Sequence, residues 1–260
     1  MKKNTELFAK LTRSFWMRNC YFMLLWVRKY PLFIRDYLNF KKSQKDTHDT
    51  RFSVNKNGLF PSLFDNTKRT NFDPHYTYHP AWAARIVAKN KPSKHIDISS
   101  ILHFSTLVSA FVPVEFYDYR PANVKLSNLE CKPGDLLHLP FGDNSVESLS
   151  CMHTIEHIGL GRYGDPIDAI GDIKAAQELS RVLRPGGAFI FVAPIGRSRI
   201  EYNSHRIYSY EQVIELFKEL KLVEFSMVPD DYAQTGLVVN ADKDTVRNQI
   251  WACGCFLFTK

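Results

Sequence analysis

Residues 135–194 confine this chain to few folds. They read DLLHLPFGDNSVESLSCMHTIEHIGLGRYGDPIDAIGDIKAAQELSRVLRPGGAFIFVAP. An acidic residue and a Leu-Pro-Phe turn lead into a short strand, 146–151. A polar loop rich in His, Glu and Gly follows, then an amphipathic helix, a Pro-Gly-Gly turn and a second apolar strand. Two strands joined through a helix pair in parallel. An open parallel sheet carries its ligands at the carboxyl ends of its strands. The loop 153–165 lies at such an end, so chemistry is expected there.

The same alternation runs through the rest of the chain. HIDIS (95–99) reads as a first strand, 102–110 as a helix and VEFYD (114–118) as a second strand. A weak third strand falls near 126–131. Asp165-Pro166 has the cap-plus-proline grammar of a helix start. Ile170, Ile173, Ala176, Leu179 and Leu183 then form an apolar stripe. Residues 188–193 are apolar throughout, as a buried parallel strand should be. A helix over 210–220 and strands over 223–228 and 250–258 complete the pattern. Pro80 is read as opening a short helix, 81–89, after an irregular aromatic stretch ending DPHYTYHP. Strands alternating with helices predict an α/β fold with a doubly wound, mostly parallel sheet of seven strands.

Charge is unevenly spread. The net charge is +7 over 260 residues, but residues 1–45 carry eleven Lys/Arg against two acidic residues. The remainder is nearly neutral, which argues against a broad nucleic-acid-binding face. Phe8, Leu11, Phe15, Phe22 and Trp26 recur at helical spacing among the basic residues. That pattern fits either an amphipathic helix on an anionic membrane surface or a helix packed on the body. The apolar run 20–27 is too short to span a bilayer. Five scattered cysteines (Cys20, Cys131, Cys151, Cys253, Cys255) read as free thiols in a reducing cytoplasm.

Three groups of residues could carry chemistry. Asp97 and Asp118 end the first two strands, and a carboxylate at the second position suits a ribose diol. The turn between them, Ser99-Ser100-Ile101, lacks the glycines of a pyrophosphate site. In the loop, His153, Glu156 and His157 form a His-x-x-Glu-His string like that of inverted zinc proteases. Gly159, Gly161 and Gly164 break the helix such a site requires, so no metal is expected. His153 or His157 could instead serve as general base for a hydroxyl, with Arg162 clamping an anion. His205 and Arg206, in the polar turn 203–206, are further candidates.

The order of these features resembles class I S-adenosylmethionine-dependent methyltransferases, especially the ubiquinone-biosynthesis-like branch. The resemblance is carried by Asp135 with Leu139-Pro140-Phe141, by Glu156-His157, and by the Arg-Val-Leu-x-Pro-Gly-Gly turn at 181–187. The fuller string HTIEHIGLGRYGDP with the later NSHR looks like a domain-of-unknown-function branch often met near polysaccharide biosynthesis genes. The resemblance implies a Rossmann-like fold over 80–260; it does not cover the basic helical arm (1–45) or the linker with an aromatic loop (46–79), which are read from charge and composition. It implies S-adenosylmethionine as cofactor. Asp97, Ser99 and Ser100 would lie by its methionine moiety, Asp118 by its ribose, and Asp135 and Leu136 by its adenine. His153, Glu156, His157 and His205 would be catalytic, with Arg162, Tyr163 and Arg206 binding substrate. The expected reaction is methylation of a hydroxyl on a sugar or polysaccharide precursor, in the cytoplasm, with the arm at the membrane's inner face. The family's Asp-x-Gly-x-Gly is here Asp97-Ile98-Ser99-Ser100-Ile101, which leaves a non-catalytic binding module as the alternative.

Overall fold

The computed structural model describes residues 15–260. The chain divides into two units, one ending at Asn71 and the other spanning Phe72–Lys260. Phe8 and Leu11, with the basic residues Lys2, Lys3, Lys10 and Arg13, lie outside the described residues.

The first unit is built on α1, Phe15–Asp46, with Pro31 inside it. Asp46, expected to open the linker, is the last residue of this helix. The chain after it folds back: Lys29 Nζ donates to the Leu63 carbonyl at 2.9 Å and sits over the Phe64 ring. Met23, Leu24 and Val27 remain exposed. No helix among the described residues is long and apolar enough to cross a membrane.

The second unit begins with α2, Pro74–Asn90. Asp73 caps it by accepting from Tyr76 N at 3.0 Å, and Pro74 occupies the first turn. The expected start at Pro80 is therefore corrected. The same grammar stands six residues earlier, and Pro80 lies inside the helix. There follow β1 (His95–Ile98), α3 (Leu102–Val108), β2 (Val114–Asp118), β3 (Leu129–Pro133) and β4 (Val146–Met152). Then come α4 (Gly171–Val182), β5 (Leu183–Ile195), β6 (Arg199–Glu201), β7 (His205–Ile207), α5 (Tyr210–Leu216), β8 (Lys221–Val228), α6 (Tyr232–Thr235) and β9 (Ala252–Thr259).

Seven strands form one sheet in the order β3-β2-β1-β4-β5-β9-β8. The neighbours from β3 to β5 pair in parallel, and β9 runs antiparallel between β5 and β8. The α/β doubly wound architecture read from the sequence is thus present. Its cause is visible on β5. Phe189, Phe191 and Ala193 face one apolar layer with Leu179 of α4 and Val213 of α5. Ile190 and Val192 face the other, with Val87 of α2 and Phe104 of α3. A strand apolar on both faces needs helices on both sides.

Three sequence expectations change. Asp165-Pro166 does not start a helix; α4 begins at Gly171. Ile170 and Ile173 are exposed, and the buried stripe is Ala175, Ala176, Leu179 and Val182. The small hairpin β6–β7 went unforeseen, since strands of three residues leave no periodicity to read.

Candidate active site

β1 and β4 are central neighbours, and both end in a left-handed residue. Ser99 has φ +55° and His153 has φ +55°. Such backbone costs about 1–3 kcal/mol per residue and clusters at functional sites. Here it is held by cross-ties. Ser99 N and Oγ both donate to the Tyr117 carbonyl, at 2.7 and 3.1 Å. Thr154 Oγ1 donates to the Ser99 carbonyl at 2.9 Å, and Met152 N donates to Ser100 Oγ at 3.0 Å. The two strand ends are therefore locked side by side.

Above them opens a cavity of about 760 Å³. Its wall contains Ser99, Ser100, His153, Glu156, His157, Arg162, Tyr163 and His205, all foreseen as site residues. Loop 153–168 is shaped by Asp165, whose Oδ2 accepts from Gly159 N at 2.8 Å and Gly161 N at 3.3 Å, and whose Oδ1 accepts from Tyr163 N. The aspartate expected to cap a helix instead knots this loop. Gly159 is obligatory there: at φ +79° a Cβ would fall 2.1 Å from the Asp168 carbonyl. Tyr163 carries the Arg120 guanidinium over its ring at 4.6 Å, which links this loop to the one after β2.

His157 donates Nδ1–H to the Ser204 carbonyl at 2.6 Å. A carbonyl only accepts, so the Nε2 lone pair is free. Burial lowers the His157 pKa despite the opposing pull of Glu156. His205 Nδ1 shares a 2.8 Å bond with Ser204 Oγ, and burial lowers its pKa too. Glu156 Oε1 accepts from His153 Nδ1 at 3.0 Å, and Glu156 Oε2 has no partner. Burial pushes Glu156 up, but its bond to His153 and the neighbouring imidazoles hold it below its ordinary value.

The other candidates fall elsewhere. Asp97 is fully buried and does not line the cavity. It accepts from Ser105 Oγ and from Ser150 Oγ, and Ser150 Oγ in turn meets buried His95 Nε2 at 2.9 Å. Asp97 thus anchors α3 and β4 to β1 rather than facing a ligand. Asp118 Oδ1 caps the loop after β2 through Arg120 N, and Asp135 Oδ1 caps the turn after β3 through Leu137 N. Neither lines the cavity, and Leu136 is buried in the core. The reading of Asp97 as a ligand contact is thereby corrected; serines 99 and 100 share the hollow with His153, and Asp118 lies outside its lining. Arg206 is also displaced from its substrate-binding role. It is buried, donating Nη1 to the Ile158 carbonyl at 2.7 Å with Nε 3.5 Å from Asp172 Oδ2. Its guanidinium holds the loop from behind.

Sequence reasoning missed the wall on the other side. α2 contributes His75 and Tyr76, and the chain just before β9 contributes Trp251. His75 and His79 stand four apart, a helical spacing that was available to read. Burial and nearby His153 lower the His75 pKa to about 4, and burial drives that of Tyr76 up to about 12. One ligand-capable atom each from His75, His153 and Cys253 lie within 4.8 Å of one another. Among the described residues, His153, Glu156 and His157 do not bring three ligand atoms together in this way, and Glu156 instead accepts from His153 Nδ1.

Several comparisons bear on this arrangement. No curated protein matches the chain. A family model described as "Caenorhabditis protein of unknown function, DUF268" matches residues 136–238, which include the loop and the β6–β7 hairpin. A candidate methyltransferase from Bacillus halodurans superposes with a TM-score of 0.50 at 15% identity, over 70% of this chain and 98% of its own. A candidate sarcosine dimethylglycine methyltransferase from Galdieria sulphuraria gives 0.50 at 16% identity, over 70% of this chain and 84% of its own. The fold is therefore the Rossmann-like one seen in these methyltransferase structures.

Proposed function

We propose that this chain is an S-adenosylmethionine-dependent methyltransferase acting on a hydroxyl of a sugar or polysaccharide precursor. The observation that carries the reading is the cavity on this fold at the carboxyl ends of β1 and β4, with His157 in its wall. The residues fit the cofactor in part. Ser99 and Ser100 offer a polar turn for its methionine end, and the carboxylates of Asp118 and Asp135, which stand after the adjoining strands and outside the cavity lining, are the groups we assign to its ribose and adenine, while Leu136 packs in the core beneath. When bound, the cofactor supplies an electrophilic methyl group on a sulfonium. The protein's part is to hold the acceptor hydroxyl in line with that methyl group. His157 Nε2 takes the hydroxyl proton as the oxygen–carbon bond forms and the carbon–sulfur bond breaks. Arg162 and Tyr163 face the acceptor. The basic arm docks on an anionic membrane surface from the cytoplasmic side.

Titration calorimetry with S-adenosylhomocysteine tests the first step. Saturable heat, reduced in Asp118→Ala, supports the reading; no heat at millimolar ligand overturns it. A binding module without transfer is favoured by one observation, the glycine-free turn 99–101 with both Asp97 and Asp118 off the cavity. Methyl incorporation into any glycan acceptor would exclude that alternative.

A further inference from the structure

His153 Nε2 lies 3.5 Å from Cys253 Sγ. A tetrahedral zinc ion with zinc–sulfur and zinc–nitrogen bonds of about 2.3 and 2.0 Å separates two such ligands by about 3.5 Å. The third corner is His75, whose ring stacks on that of His153 with centroids 5.6 Å apart. We infer that His75, His153 and Cys253 form a zinc site, with a fourth position open to the cavity for a water or substrate oxygen. This assignment stands independently of methyl transfer.

Three further features agree. Each histidine has the outer partner that metal-bound imidazoles use. Glu156 holds His153 Nδ1–H at 3.0 Å, which leaves Nε2 as the ligand atom. The Trp251 carbonyl accepts from His75 Nε2 at 3.2 Å, which leaves the lone pair on Nδ1. Charge also balances: a dication offsets one thiolate and the buried Glu156 carboxylate, whose Oε2 has no partner. Finally, His79 is buried edge-on against His153, at a centroid distance of 4.9 Å, with Nδ1 committed to the His75 carbonyl and Nε2 unpartnered. An unpaired imidazole nitrogen there points to a polar occupant beside it.

The ligand set selects the metal class. Two imidazoles and a thiolate suit zinc, and an open fourth position is the mark of a catalytic rather than a closed structural site. Binding forms one sulfur–metal bond and releases the Cys253 thiol proton to solvent. The β9 pair Cys253 and Cys255, with sulfurs 3.9 Å apart, is thus divided: one thiol faces the histidines and the other is its neighbour in the core.

The test uses the full chain, stripped with a chelator and titrated with cobalt(II). The expected result is one equivalent bound, a thiolate-to-cobalt charge-transfer band in the near ultraviolet, and displacement by one equivalent of zinc. Cys253→Ser abolishes the band, Cys255→Ser retains it, and Glu156→Gln weakens zinc binding about 10–100-fold. Wild-type protein that shows no stoichiometric thiolate band overturns the assignment, as does a band that survives in Cys253→Ser. The wild-type titration decides the matter even if a variant fails to fold.

Discussion

His157 Nδ1 donates to the Ser204 carbonyl across 2.6 Å, which joins the loop after β4 to the β6–β7 hairpin and fixes the imidazole's tautomer. The hairpin thereby does for His157 what a carboxylate does in many acid–base pairs: it orients the ring and leaves one nitrogen free for the substrate. That free nitrogen is the group on which the proposed transfer depends.

Replacing His157 with Ala or Gln should lower kcat for methyl transfer by about 10²–10⁴-fold, with KM for the cofactor little changed. Burial already lowers the His157 pKa, so the ring stays neutral to lower pH than an ordinary histidine. The rate should therefore fall on the acid side of the ordinary histidine pKa, and the fall should be absent from the residual rate of His157→Gln. A pH–rate profile of wild type and variant checks both points. An unchanged kcat removes His157 from the chemistry.

Asp97 makes stability depend on pH in a definite sense. Burial raises its pKa to about 6 against the hydroxyls of Ser100, Ser105 and Ser150, which favour the charged form. An unfolded aspartate titrates near ~3.9. Between these values the native state holds the extra proton, so stability is greatest below the lower value and falls as pH rises through the folded one. Asp97→Asn removes that loss and should gain up to ~3 kcal/mol at neutral pH relative to its effect at pH ~3.5. Urea unfolding of both proteins across that range measures it, and a pH-independent difference would contradict the assignment.

Arg206 should behave as a structural clamp. Its guanidinium reaches carbonyls of Glu156, Ile158, Asp168 and Ala169 and pairs with Asp172, itself bonded to Tyr208. Removing one partner of a buried ion pair costs about 3–5 kcal/mol. Arg206→Ala should thus lower Tm by ~10 °C for a unit of this size. Arg206→Lys should recover only part, because an ammonium cannot reproduce the fork. Thermal melts decide between this role and substrate binding, which would leave Tm unmoved.

These corrections show what a sequence carries and what it does not. The strands were legible because runs such as FIFVA and VEFYD bury both faces, and that signal is local. The place of loop 153–165 at the strand-end cavity was legible because it follows a strand, and the sheet places it. Asp97 misled because a strand-end carboxylate looks alike whether it faces a ligand or a serine hydroxyl; only the pleat and the neighbouring α3 decide. Arg206 misled for the same reason: it directly follows His205 on β7, and successive strand residues point to opposite faces. His75 and Cys253 were invisible as partners, since α2 and β9 meet only once the sheet forms.

The arm supports a last prediction. α1 exposes Met23, Leu24 and Val27 and ends in Lys41, Lys42 and Lys45, with no acidic residue in its first turn. Apolar side chains inserted at an interface and basic ones against anionic headgroups act together, the latter worth about 1 kcal/mol per charge near the surface. The full chain should cosediment with vesicles containing phosphatidylserine and not with neutral vesicles. Binding should weaken as salt shortens the screening length from ~10 Å at 0.1 M to ~3 Å at 1 M. Leu24→Asp should weaken it through lost insertion at every salt concentration. Lys42→Glu with Lys45→Glu should weaken it at least ~10-fold at low salt and little at high salt, because only the charge term is screened. Binding indifferent to lipid charge, or equal in all three proteins, would mean that α1 meets protein rather than membrane.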